Sequence, residues 1–264
     1  MPANFDETRR TVTTWGKDPR TRNGELLDPV RLPQSVLEKK KIELGGLNYA
    51  AQYEQSPVPE GGAVFKREWV KYWQSLPPTF DDLVCSWDCA FKAEETSDYV
   101  AGQVWGRVGA HYYLLDQIHG HYDFGSTTKK VVELASRWPR AITKLIEDKA
   151  NGVGVIQTLQ ATVPGIVSVD PKGGKFSRAS ACSGLFEAGQ VFLPDPQIPT
   201  YQWVDQLLLP ELLSFPRAKH DDQVDAMTQA LLYLMETTSY LKAAMAVVRK
   251  QWGAVDSNEG NGMP

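Results

Sequence analysis

The spacing of apolar and polar positions divides the chain into three stretches of different character. Residues 1–32 are polar and broken by Gly16-Lys17-Asp18-Pro19 and Asn23-Gly24, a pattern that predicts an irregular arm. Pro33-Gln34-Ser35 then opens a helix to about residue 41, ended by Gly45-Gly46, and a second short helix covers 47–54. The Pro/Gly run 56–62 stops it and is the best domain boundary in the chain. After an amphipathic turn at 65–69, the runs 83–91, 99–107 and 110–117 are apolar, β-branched or aromatic. They predict three antiparallel strands, the last two joined as a hairpin through 106–109. From there helices at 126–138, 153–162 and 176–188 alternate with strands at 141–147, 166–169 and 191–193, which implies parallel strands joined by right-handed crossovers. Helices at 201–213 and 221–241 follow, and the Gly/Asn/Ser-rich end after Trp252 reads as disordered. The expected organisation is an arm with helical remnant at 1–60, an α/β domain at 61–240 and a tail at 241–264.

With 264 residues, 42% of them hydrophobic, and eight tryptophans, the chain can bury one core of ordinary size. A net charge of −4 argues against a strong free-standing nucleic-acid binder, so any DNA affinity must be local or supplied by a partner. Cys85, Cys89 and Cys182 lack zinc-ligand spacing and sit in apolar surroundings, so they read as reduced core residues of a cytosolic protein. The polar start is no signal peptide and no apolar run reaches membrane-spanning length, so a cytoplasmic location is expected and no membrane partner.

The chemistry concentrates in acids. His220-Asp221-Asp222-Gln223-Val224-Asp225-Ala226 crowds three carboxylates at the start of a helix whose apolar residues recur at core-facing intervals. Helical spacing puts Asp222 and Asp225 on one face. Asp88 lies in the first strand, and Glu147-Asp148 closes the fourth. An antiparallel meander continued by parallel strands, with an Asp midway along strand one, describes a ribonuclease-H-like mixed sheet flanked by helices. In that arrangement Asp88, Glu147 and Asp222 converge. Clustered carboxylates raise one another's pKa unless a cation relieves them. Two divalent ions about 3.5–4 Å apart also activate water and stabilise the leaving oxygen of a phosphodiester, and carboxylates are the hard ligands that hold Mg²⁺ or Mn²⁺. Several positions stay open. Asp221 reads as a helix cap; Asp225 is an auxiliary ligand or a buried anchor; Asp148 competes with Glu147, although adjacent strand residues face opposite ways. Asp98 and His220 are secondary candidates. The Gly-rich turn before the helix at 176 carries Lys172, Lys175 and Arg178, either a phosphate cradle or a solvated surface turn.

The residues from about 29 to 234 resemble the C-terminal nuclease part of the large terminase subunit of tailed bacteriophages. The resemblance is carried by 47–57 with Glu60-Gly61-Gly62, by Ser86-Trp87-Asp88-Cys89-Ala90-Phe91-Lys92 with Ser97-Asp98-Tyr99, and by Tyr113-Leu114-Leu115-Asp116. Ile146-Glu147-Asp148-Lys149-Ala150-Asn151-Gly152 and the 220–226 motif complete the ordered set. It implies a metal-dependent endonuclease cutting concatemeric viral DNA during packaging, with catalytic acids Asp88, Glu147 and Asp222, and Asp225 as a further ligand. It also implies double-stranded DNA, a portal protein, a small terminase subunit and an ATPase motor domain as partners. The motor's Gly-rich loop ending in Gly-Lys-Ser/Thr does not occur here, so this chain alone is not expected to hydrolyse ATP, and the resemblance places its start near the end of a motor domain. Rival expectations are a Holliday-junction resolvase or transposase-like nuclease, and a nonenzymatic packaging adaptor docking on a portal.

Overall fold

The computed structural model describes residues 1–7, 10–14, 16–55, 64–89, 99–148 and 152–253. The predicted boundary at 56–62, Asp98, 149–151 and the end of the tail lie outside them. The N-terminal segment is more ordered than its turn-rich sequence suggests. β1 (Val12–Thr13) pairs antiparallel with β2 (Gly16–Lys17). The Arg20 guanidinium donates to both carboxylate oxygens of the fully buried Asp18, at 3.0 and 2.7 Å, and to the carbonyls of Pro2, Ala3 and Glu25. Five such bonds satisfy a buried charge that would otherwise be costly. One helix, α1 (Gln34–Gln52), replaces the two predicted, running through Gly45-Gly46. Two glycines cost a helix about 1 kcal/mol each, and burial of Leu37 and Tyr49 against Ala3 offsets that.

The sheet has seven strands: β3 (Lys71–Trp73), β4 (Asp82–Cys89), β5 (Tyr99–Val108), β6 (His111–His121), β7 (Thr143–Glu147), β8 (Ile166–Val169) and β9 (Val191–Pro194). Their order is β3-β9-β6-β5-β4-β7-β8. β4, β5 and β6 are antiparallel, whereas β7 and β8 continue parallel beyond β4, and β9 and β3 parallel beyond β6. This is the mixed ribonuclease-H-like sheet that the strand pattern predicts. β3 is an addition: only Trp73 of its three residues is buried, so no alternation announces it.

Helices cover both faces. α2 (Phe124–Arg137), begun by Asp123 accepting from the Ser126 N–H, and α3 (Gly152–Leu159) close over Cys85, Trp87, Val100 and Ile146. Asp116 ties α2 to β6, accepting from Arg137 and from the Trp138 indole, each at 2.8 Å. The other face, with Val84, Trp105 and Leu114, packs under α4 (Lys175–Glu187), α5 (Leu209–Ser214) and α6 (Asp222–Gly253). The predicted helix at 201–213 is three short pieces: a 3₁₀ turn at Pro199–Tyr201, a π-helical turn at Val204–Leu208, and α5. The three cysteines are free and buried, and burial pushes the Cys85 and Cys182 thiols up to about 12, which keeps them inert. Among the described residues no helix is long and apolar enough to cross a membrane.

Candidate functional site

Alternation along β4 sends Cys85, Trp87 and Cys89 into the core beneath α2 and α3 and leaves Ser86 and Asp88 toward α6. Asp88 is the last but one of the described residues of β4, and the rest of the expected strand, 90–91, lies outside the described residues. Glu147 is the last residue of β7, and the parallel pairing of Trp87 with Ile146 brings it alongside Asp88. Asp222 and Asp225 occupy the first turn of α6, 6% and 5% exposed. Gln229, one turn beyond Asp225, donates to the Ser86 hydroxyl at 2.9 Å and to the carbonyls of Trp87 and Leu145, which straps α6 across β4 and β7.

The acids register one another electrostatically. Burial, then the charges of Asp225, Asp222 and Glu147, hold the Asp88 carboxyl well above the usual carboxylate range, with Lys175 pulling the other way. Asp148 turns aside and accepts from the Ser168 hydroxyl at 2.7 Å. Asp221 precedes α6; its carbonyl accepts the Asp225 N–H and its carboxylate meets Lys175 at 2.6 Å.

The three cations of the Gly-rich turn are placed unequally. Gly173, at φ +78, bends the chain into α4, whose N-cap Gly174 supplies no side-chain acceptor. Lys175 also reaches Asp225 at 2.6 Å, and the buried Arg178 donates to the same carboxylate at 2.9 Å and to the Gly173 carbonyl. Burial disfavours the Lys175 ammonium, but its bonds to Asp221 and Asp225 outweigh that and hold it protonated. Lys172 lines a cavity of about 360 Å³ together with Glu147, Arg178, Asp225, Gln229 and Tyr233. The carboxylates therefore suit a hard divalent ion by donor type and mutual electrostatic reach. Yet among the described residues no three His, Cys, Asp or Glu groups are gathered to hold an ion as they stand, and both Asp225 oxygens already meet cations.

The sequence pattern missed a buried polar chain that sets the α6 N-terminus. Gln103 donates to Gln117, Gln117 to Gln223, and Gln223 to Glu211 at 2.6 Å, while the Val224 N–H donates to the same Glu211 at 2.9 Å. Glu211 is a lone acid in an apolar run, which is the only signal it offers. His220 packs its ring edge on Tyr99, beside His119 and His121, which the pattern did not single out.

A family model described as a terminase RNaseH-like domain matches residues 85–234, more than half of the chain. No curated protein matches. Among solved structures, the large terminase of the thermophilic bacteriophage D6E superposes with a TM-score of 0.57 at 12% identity, covering 79% of this chain and 54% of that one. The same protein in complex with ATP-γ-S gives 0.56 at 12% identity, over 76% and 52%. The chain thus spans about half the length of the D6E protein, and the likeness shows the shared fold.

Proposed function

We propose, from the premise that the chain belongs to the terminase RNaseH-like domain family, that it is a metal-dependent endonuclease cutting double-stranded viral DNA during genome packaging, with little sequence specificity. The observation that carries this reading is the placement of four acids: Glu147 beside Asp88 through the pairing of β4 with β7, and Asp222 and Asp225 in the first turn of α6, which Gln229 straps to β4; their charges raise the Asp88 carboxyl, an effect a bound cation relieves.

In this reading Asp88, Glu147 and Asp222 hold two Mg²⁺ or Mn²⁺ ions, with Asp225 as a further ligand. Bound there, the ions supply a deprotonated water and stabilise the departing oxygen of the phosphodiester. The chain's own residues do the rest. Gln229 fixes α6 against β4, so the acids of the helix and of the strand keep their spacing. Lys175 and Arg178 release Asp225 to the ions and turn to the phosphates, beside Lys172 and the uncapped start of α4, where N–H groups favour anions. Partners carried over on the family likeness are the ATPase motor, the small terminase subunit and the portal protein.

Supercoiled plasmid incubated with Mg²⁺ or Mn²⁺ tests the proposal. Metal-dependent relaxation and linearisation, blocked by EDTA and lost in Asp88→Asn with its fold intact, is the expected result. Full cleavage by Asp88→Asn would remove Asp88 from the site, and intact plasmid under every metal would favour the adaptor role or a nuclease that acts only with its motor domain.

A further inference from the structure

A second cleft, sharing no residue with the cavity at Glu147 and Asp225, opens where α6 begins. It has a volume of about 280 Å³ and is walled by Tyr99, His119, His220, Lys219 and Gln223. Tyr99 stacks on His119 with ring centroids 4.6 Å apart and planes 15° apart, lies 3.8 Å from His121, and meets the edge of His220 at 4.7 Å. Four polar-edged rings thus gather at a partly exposed rim, outside the hydrophobic clusters that cover the two faces of the sheet. The cleft floor is rigid, because Gln223 is locked by Gln117 and Glu211. The His119 ring lines the cleft and is itself only partly buried.

We propose that this cleft is a stacking subsite for an unpaired nucleobase of the strand held at the carboxylates, with Tyr99, His119 and His220 as its ring walls and Lys219 against the adjoining phosphate. The proposal rests on the nuclease reading above and adds that the substrate is locally melted DNA. Register supports the placement: Asp88 lies directly opposite Ala101, and Ala101 opposite His119, so these residues share one row and one face of the sheet. Two strand spacings put His119 about 10 Å from Asp88, roughly three base steps of a duplex strand. The cleft is scaled to one base, and a ring face is open to a base only once that base has left its stack. Burial and the neighbouring His220 and His121 push His119 down to about 4, so it meets the base as a neutral ring and not as a cation.

The test compares binding of the full chain, with Ca²⁺ as the metal, to a paired duplex and to the same duplex with a short unpaired bubble containing 2-aminopurine. The bubble duplex is expected to bind roughly tenfold tighter and its 2-aminopurine to be quenched. Tyr99→Ala removes both effects and Tyr99→Phe keeps them. His119→Ala, expected to weaken them, serves as the second probe if Tyr99→Ala melts early. Equal affinities, an unquenched base, or a preference that survives Tyr99→Ala overturns the subsite. Plasmid cleavage assayed in parallel separates the two readings: cut plasmid without bubble preference rejects the subsite alone, and bubble preference with intact plasmid supports the subsite and rejects the nuclease.

Discussion

Glu211 carries a charge-state cost that can be read directly. Burial pushes its carboxyl up to about 7, against the hydrogen bonds from Gln223 and Val224 and with a further push from the Asp222 charge. An unfolded Glu loses its proton near pH 4.3, whereas the folded residue keeps it to about 7. As pH rises between these values the unfolded state ionises first, so stability falls across that window and levels off above it. Below the window both states are protonated and the cost vanishes. Glu211→Gln keeps an acceptor for the Val224 N–H and removes the titration. Urea unfolding is expected to show wild type losing about 3 kcal/mol relative to Glu211→Gln between pH 4.5 and pH 8, and parallel pH profiles would contradict the assignment. Asp88 differs in degree, since three acids add to burial there and no hydrogen bond among the described residues opposes them, and a cation rather than a proton is the proposed relief.

Among the elements, the first residue of α3 packs directly against the end of β7 at Glu147. Gly152 opens α3 so close to the Glu147 carbonyl that a Cβ there would overlap the oxygen. Gly152→Ala must therefore displace either the helix or the end of the strand. We expect plasmid cleavage to fall at least about tenfold, with a stability loss of about 1–3 kcal/mol by urea titration; an unchanged cleavage rate would show that Glu147 does not need this junction. The central strands were legible in the sequence as near-continuous apolar runs buried on both faces, and α2 and α3 as helices that bury one side. β3 was not, because pairing with β9 holds it and its pattern does not. The helix break at Gly45-Gly46 failed because packing outweighed propensity. The acids stood out as charges within apolar elements. The glutamine chain did not: Gln223 lies 120 positions from Gln103 and 106 from Gln117, and no local spacing links them. Tyr99 and His119 meet only because β5 and β6 pair in their particular register.

For the molecule as a whole, the proposed metal site would link folding to divalent ions. At a metal concentration about a hundred times Kd the folded state gains about 2.7 kcal/mol, which for a chain of this size raises Tm by roughly 5–10 °C. Calorimetry with Mg²⁺ or Mn²⁺ against EDTA measures this, and Asp88→Asn is expected to abolish the shift. An identical Tm with and without metal would count against the carboxylates as ligands. The fold does not wait for that gain, because Lys175 and Arg178 already stand against Asp225. An ammonium and a guanidinium thus stand in for a cation at one of the four acids, as ballast until an ion arrives. On the nuclease reading, maturation and arming are then separate events in the life of the protein, and only the second answers to magnesium.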